Sequence, residues 1–252
     1  MKKTLIAMAL ASGLATPAAF AEESPHTFTG NITMASDYIF RGVSQTQHKP
    51  ALQGGFDYSH SSGVYLGTWA SNVAWVKDTG FKDASSLEWD FYGGYRFGLG
   101  ELSADIGALY YYYPGDKISG VANTNSTELY AGLSWKFVSL KYSHAVSKNL
   151  FGWTNNGKKS RGSGYIDLTL SHTFENGIGL VGHIGHQRIK NFSGASYTDW
   201  KIGVTKDLGV GVVGLAYTDT NAKGSCSRTQ AYCFDGKDVG KGRAVLTFSK
   251  SF

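Results

Sequence analysis

The stretch SSLEWDFYGGYRF, residues 85–97, decides the fold. Leu87, Trp89, Phe91, Gly93, Tyr95 and Phe97 fall on one face of an extended chain, and Glu88, Asp90, Tyr92, Gly94 and Arg96 on the other. Successive side chains of a β-strand point to opposite faces, so a strict period of two with one apolar and one charged face reads as a strand between two different environments. The same split recurs in TELYAGLSWKF (127–137), where Leu129, Ala131, Leu133, Trp135 and Phe137 oppose Glu128, Tyr130, Gly132, Ser134 and Lys136. It returns in YIDLTLSHTF (165–174), with Ile166, Leu168, Leu170 and Phe174 against Asp167, Thr169, Ser171 and Thr173.

Working outward from these segments, the alternation runs almost unbroken from Phe28 to Phe252. It divides into about twelve strands, near 27–40, 51–60, 63–74, 85–97, 101–113, 126–137, 139–147, 163–174, 178–189, 196–206, 209–219 and 241–252. Many exceed the usual five or six residues of a soluble strand and match the ~9–11 residues of a tilted membrane-crossing strand. The connections alternate in length. Short turns fall at His60–Ser62, Gly98–Gly100, Val138, Glu175–Gly177 and Asp207–Leu208; long ones fall at 41–50, 76–84, 114–125, 147–162, 190–195 and 220–240. Short periplasmic turns and long external loops are the rule in bacterial outer-membrane barrels. The chain is therefore expected to be all-β: a single transmembrane antiparallel up-and-down barrel of about 12 strands, residues 22–252, after a cleaved N-terminal signal peptide. The leader is residues 1–21, with Lys2 and Lys3, an apolar stretch from Leu5 to about Leu14, and the small-residue ending Ala19-Phe20-Ala21.

Composition agrees with many strands: Gly 33, Tyr 15 and Phe 14 against only Pro 4. Loss of Lys2 and Lys3 lowers the formal charge from +5 to about +3, too near neutral for the basic stripe of a nucleic-acid partner. Cys226 and Cys233 sit in the last long connection of an exported chain; a disulfide is the first reading and free thiols the second. Two cysteines with no nearby histidine fall short of a structural metal site. Aromatics mark the expected membrane boundaries: Tyr38, Phe40, Tyr110 and Tyr112 toward the outside, and Phe28, Tyr58, Phe97, Trp135, Phe137, Phe174 and Phe248 toward the periplasm. The final strand ends in Phe252, with Phe248 and Leu246 on its face and Lys250 interrupting them, which resembles the terminal signature read by the outer-membrane assembly machinery.

The candidate functional residues are the charges on the inward face. Asp37, Asp57, Glu88, Asp90, Asp105, Glu128, Asp167 and Asp199, with Arg41, Arg96, Lys136, Lys141, Lys201 and Arg243, are expected to line the lumen. Charges buried dry are very costly unless paired, so either they bridge one another and plug the barrel or water runs between them. Glycines at inward positions, including Gly55, Gly94, Gly107, Gly132 and Gly203, favour the wet path by leaving room. Asp37 and Arg41, four residues apart on one expected strand, share a face near the outer mouth and are the pair expected to form a constriction or loop anchor. The reading is a channel for small hydrophilic or charged solutes, with no cofactor.

Enzymatic readings fare worse. Ser59-His60, Ser143-His144 and Ser171-His172 project from opposite strand faces and cannot share a proton; His183 could reach Ser143 or Ser171 only in a favourable register. The Gly54-Gly55 pair precedes no helix and makes no phosphate loop. The basic loop KNLFGWTNNGKKSRGSG (148–164), with Lys148, Lys158, Lys159 and Arg161, could touch lipopolysaccharide from outside, so a surface-binding barrel is a further alternative.

Residues 34–75 add a family resemblance. Ser36-Asp37-Tyr38, Phe40-Arg41-Gly42, Ser44-Gln45-Thr46, Lys49 through Gly55, Asp57-Tyr58 and Gly67-Thr68-Trp69 closely resemble, in order and spacing, the opening of the TorF-type porin family, exported proteobacterial proteins long catalogued as conserved hypothetical. The resemblance is strong over roughly the first third of the mature chain and rests on strand pattern and length thereafter. It implies an outer-membrane location and a pore, and no catalytic residues.

Overall fold

The computed structural model describes residues 24–79, 86–115 and 123–252. The expected leader, 1–21, and parts of the second and third long connections lie outside them. Twelve strands form the wall: β1 (His26–Ala35), β2 (Ala51–His60), β3 (Val64–Asn72), β4 (Leu87–Leu99), β5 (Leu102–Tyr112), β6 (Ser126–Trp135), β7 (Val138–Ala145), β8 (Gly164–Thr173), β9 (Ile178–Arg188), β10 (Tyr197–Asp207), β11 (Val212–Thr220) and β12 (Arg243–Ser251). Each pairs antiparallel with its chain neighbours, and β1 pairs with β12, so the sheet closes and leaves no edge. The seam runs from Asn31 opposite Ser251 to Ala35 opposite Thr247, extended by Gly30 and Phe252 exchanging backbone hydrogen bonds of 2.7 and 3.0 Å.

All twelve expected strands form, and their outward rows are the apolar ones. Phe28, Phe56, Leu66, Ile106, Leu129, Ile184 and Ile202 are among the most exposed large apolar side chains. In water such a surface would be a liability; against hydrocarbon it is the solvated state. No helix among the described residues is long and apolar enough to cross a membrane, which says nothing of a β-barrel. At the turn end of the barrel Phe28, Trp135, Phe137 and Phe174 stand outward and exposed, as expected.

Three local expectations fail. The first strand stops at Ala35 rather than running to 40, and Tyr38 and Phe40 leave the lipid face altogether. Tyr38 is 8% exposed inside the barrel mouth, and Phe40 packs edge-on against Tyr111 and Phe151. The cause is a two-residue turn at Arg41-Gly42, where both φ are positive (47° and 78°), pairing Ile39–Phe40 with Val43–Ser44 in a small inward-folded hairpin. The second failure is Lys136. It is not a lumen residue: the turn after β6 falls at 136–137 instead of Val138, Lys136 takes φ 52°, and its ammonium lies exposed, 4.5 Å from the Trp135 ring centre. The third concerns space. Gly94 and Gly107 leave no room, because the Tyr65 and Tyr130 rings lie where their side chains would be, and Gly67 and Gly185 receive Tyr92 and Tyr165 in the same way.

Candidate functional site

Strand parity sends Asp57, Glu88, Asp90, Arg96, Asp105, Glu128, Lys141, Asp167, Asp199, Lys201 and Arg243 to the inner face, and the hairpin brings in Asp37 and Arg41. They divide into two zones along the barrel axis.

In the zone nearer the turns the charges keep contact with water. Arg96 and Asp105 pair at 3.5 Å with side chains 35% and 26% exposed, and Asp167 is 27% exposed. Arg96 lies 3.9 Å from the centre of the Tyr65 ring, and Lys141 lies 3.8 Å from that of Tyr130. Tyr65 donates to Asp105 at 2.6 Å, and Tyr92 donates to Asp57 at 2.6 Å. His183 sits between two acids, Nδ1 3.2 Å from Asp167 and Nε2 2.9 Å from Asp199, with Tyr165 and Thr169 also in reach. Its ring nitrogens are thus engaged by acids and hydroxyls rather than by Ser143 or Ser171.

Toward the long loops the lumen dries. Glu128 is 1% exposed and takes two bonds from the Arg41 guanidinium, Nη1 to Oε1 at 3.0 Å and Nη2 to Oε2 at 2.7 Å, while Tyr111 donates to Oε2 at 3.1 Å. Arg41 Nη1 also donates to Gln187 Oε1 at 2.7 Å, and the guanidinium lies 4.3 Å from the Tyr165 ring centre and 4.8 Å from that of Phe40. A planar fork matched to a carboxylate and flanked by rings is the arrangement that makes arginine tolerable out of water. Glu88, equally buried, accepts from Tyr38 and Tyr113 at 2.7 Å each. Burial pushes the Tyr38 phenol well above its ordinary range and the Glu88 and Asp90 charges push it further, so it remains a donor.

Asp37 and Arg41 do not pair and do not share a strand. Asp37 accepts from Ser44 at 2.7 Å, Thr46 at 2.9 Å and Arg243 at 3.0 Å, which ties the hairpin base to the first residue of β12. Arg41 reaches across to β6 and β9. Gly42 at the tip is pressed against β10 and β11: a Cβ there would stand 2.5 Å from Asp199 Cβ and Thr220 Cγ2. The anchor function expected of the two residues is divided between the two ends of one hairpin.

Apolar side chains from other connections close over the hairpin. Trp75 and Val76 come from the short helix α1 (Trp75–Asp78), Leu150 and Phe151 from the fourth long loop, and Tyr232, Phe234 and Val239 from the last. Gln47 donates to the Phe234 carbonyl at 2.9 Å, and the Ser44 amide donates to the Val239 carbonyl at 2.9 Å. The last loop is itself closed by the Cys226–Cys233 disulfide.

Tyr38, Tyr111, Tyr113, Tyr165, His183 and Gln187 hold these charges in place and were not singled out by charge alone. The available signal was the pairing of inward tyrosines with inward glycines on neighbouring strands. The signal for the hairpin is the Arg41-Gly42 step between the β-favouring residues Ile39-Phe40 and Val43.

Among solved structures the fold is similar to a KdgM porin, with TM-score 0.54 at 7% identity over 89% of this chain and 98% of that one. It is equally similar to a KdgM porin in complex with disordered oligogalacturonate, with TM-score 0.54 at 6% identity over 90% and 98%. A NanC porin aligns with TM-score 0.50 at 9% identity over 88% and 98%. At such identities the likeness is one of fold. No curated protein sequence matches this chain significantly. The profile described as a bacterial protein of unknown function (Gcw_chp) matches residues 19–252, and the chain belongs to that family.

Proposed function

We propose that this protein is an outer-membrane, porin-like channel for small hydrophilic or charged solutes, closed at its loop end by the hairpin that carries Arg41. The observation that carries the reading is the contrast along the lumen. Arg96, Asp105 and Asp167 keep a quarter to a third of their side-chain surface accessible, whereas Glu128 and Asp199 are sealed at 1–2% by loop residues. The inner face of the wall carries charged and polar side chains along most of its length, and what shuts it is a set of connections that take no part in the pairing of the wall strands. The resemblance of residues 34–75 to the TorF-type porins supports the same reading, as does the porin-like fold. Passage is diffusive and needs no cofactor or covalent step.

A second reading, a permanently plugged barrel acting through its loops, is favoured by the bidentate Arg41–Glu128 pair, which is stronger than a casual loop contact requires. Single-channel recording in planar bilayers separates the two. The channel reading expects discrete steps from the wild-type barrel, rare or brief, that become frequent in Arg41→Ala and Asp37→Ala and in a variant whose residues 39–44 are replaced by a short Gly-Ser turn. Silence from all four proteins, each shown folded by its heat-modifiable gel mobility, would replace the channel with the plugged barrel.

A further inference from the structure

Two of the long loops, those that follow β7 and β9, carry cations and no acids. Residues 144–166 and 186–198 contain no Asp or Glu, yet carry Lys148, Lys158, Lys159, Arg161, Arg188 and Lys190. None of these six is in an ion pair with a described carboxylate.

Their height on the wall follows from the register. On the outward face of β7, β8 and β9, Leu140, Leu168 and Ile184 stand side by side at one level, all exposed. One step toward the loops come Tyr142, Ile166 and His186, and one step further His144, Gly164 and Arg188. The outward rows therefore pass from aliphatic to amphipathic to cationic within two steps, the order in which hydrocarbon gives way to headgroups. The neighbouring loops continue it: the Lys190 ammonium and the His144 ring converge on Gly162, whose Cβ would lie 3.5 Å from Nζ and 3.9 Å from Cε1. Beside them an open cleft of about 720 Å³ is lined by His186, Arg188 and Lys190, with the hydroxyls of Ser193 and Ser196 and the amide of Asn191. Elsewhere the outward loop-end positions are neutral or acidic: Met34, Leu52, Asn72, Leu87, Tyr112, Thr127 and Asp219.

Arg188 and Lys190 line one cleft with no carboxylate among its lining residues, and the natural complement of two such cations at this height is an anion held at the membrane surface. We propose that the outer ends of β7, β8 and β9, with the loops that follow β7 and β9, form a binding face for the phosphate groups of the outer-leaflet glycolipid. Arg188 and Lys190 are its centre. Arginine offers a fork to phosphate oxygens and lysine a point charge, while the serine hydroxyls supply neutral donors. The inference rests on the reading that the loop end faces outward in the outer membrane, and on nothing about conductance.

The test uses the whole barrel folded in detergent and titrated with bisphosphorylated lipid A, followed by native mass spectrometry. Wild-type protein is expected to retain the lipid and to bind its dephosphorylated form at least about tenfold more weakly, with the difference shrinking as salt rises. Arg188→Gln/Lys190→Gln should lose that preference, and Lys237→Gln/Lys241→Gln, in the last loop, should keep it. Equal binding of the two lipids by wild-type protein, or an undiminished preference in the Arg188/Lys190 variant, overturns the proposal. So does a soluble acidic polysaccharide bound through Arg188 and Lys190 in preference to the lipid. Whole-cell labelling of Lys158→Cys tests the outward orientation separately, so a failure of topology is distinguished from a failure of lipid binding.

Discussion

Arg41 is the residue on which the loop-end seal turns. It lies on an inserted hairpin, and its partner Glu128 is 1% exposed on the wall, so deleting the guanidinium strands a carboxylate in a dry site. Removing one member of a buried pair costs about 3–5 kcal/mol, much more than the pair contributes over a neutral replacement. Arg41→Ala should therefore loosen the seal, and Arg41→Ala/Glu128→Gln should recover part of the loss. Hydrogen exchange at the Val43 and Ser44 amides, faster in the single than in the double variant, checks the sign; equal rates would mean that Glu128 is not what holds Arg41. Parity alone placed Glu88, Asp90, Glu128 and Asp199 on the inward face, because side-chain period is a local property of a strand. Spacing marks Arg41 and Asp37 as a pair, whereas each finds its partners elsewhere on the wall. The chain leaves the wall at Ser36-Asp37 and reverses at Arg41-Gly42, and only the closed barrel brings β6, β9 and β12 within reach of the two side chains.

At the scale of elements, strand existence is legible throughout, and strand ends fall within three residues of the alternation except where the first strand meets the inserted hairpin. The first strand was overextended by five residues' worth of alternating pattern, Ser36 to Phe40, because a miniature hairpin shares the period of the strand before it. Lys136 continues the strand's alternation by sequence, yet its positive φ begins the turn that follows Trp135. The last long loop is held differently. Its disulfide closes a span with sequence separation 7, and such a short loop gains about 2–3 kcal/mol from the lost freedom of the open form. Cys226→Ser/Cys233→Ser is expected to leave barrel melting unchanged, since neither cysteine belongs to a strand of the wall, while trypsin cleavage at Lys223, Arg228 or Lys237 accelerates about tenfold or more. Unchanged cleavage would show that Tyr232 and Phe234, buried in the seal, hold the loop without help.

For the whole molecule, the decisive property is which face meets which medium. Trp89, Trp135 and Trp200 stand outward at 40–42% exposure, whereas Trp69 faces inward and Trp75 is 7% exposed within the seal. In vesicles of brominated lipid, single-tryptophan variants retaining Trp89, Trp135 or Trp200 should be strongly quenched and those retaining Trp69 or Trp75 should not. Quenching of Trp69 would place lipid on the wrong face and undo the barrel's orientation in the bilayer. The fold was readable because a bilayer imposes one rule on every strand; the seal was not, because its members lie far apart in sequence. The Asp37–Arg243 pair adds a temporal consequence. One partner directly follows the first strand and the other opens the last, so the bond forms only once the two ends of the sheet have met. The tie at the hairpin base is therefore made only after the wall has closed, and the packing of the loop end is completed last.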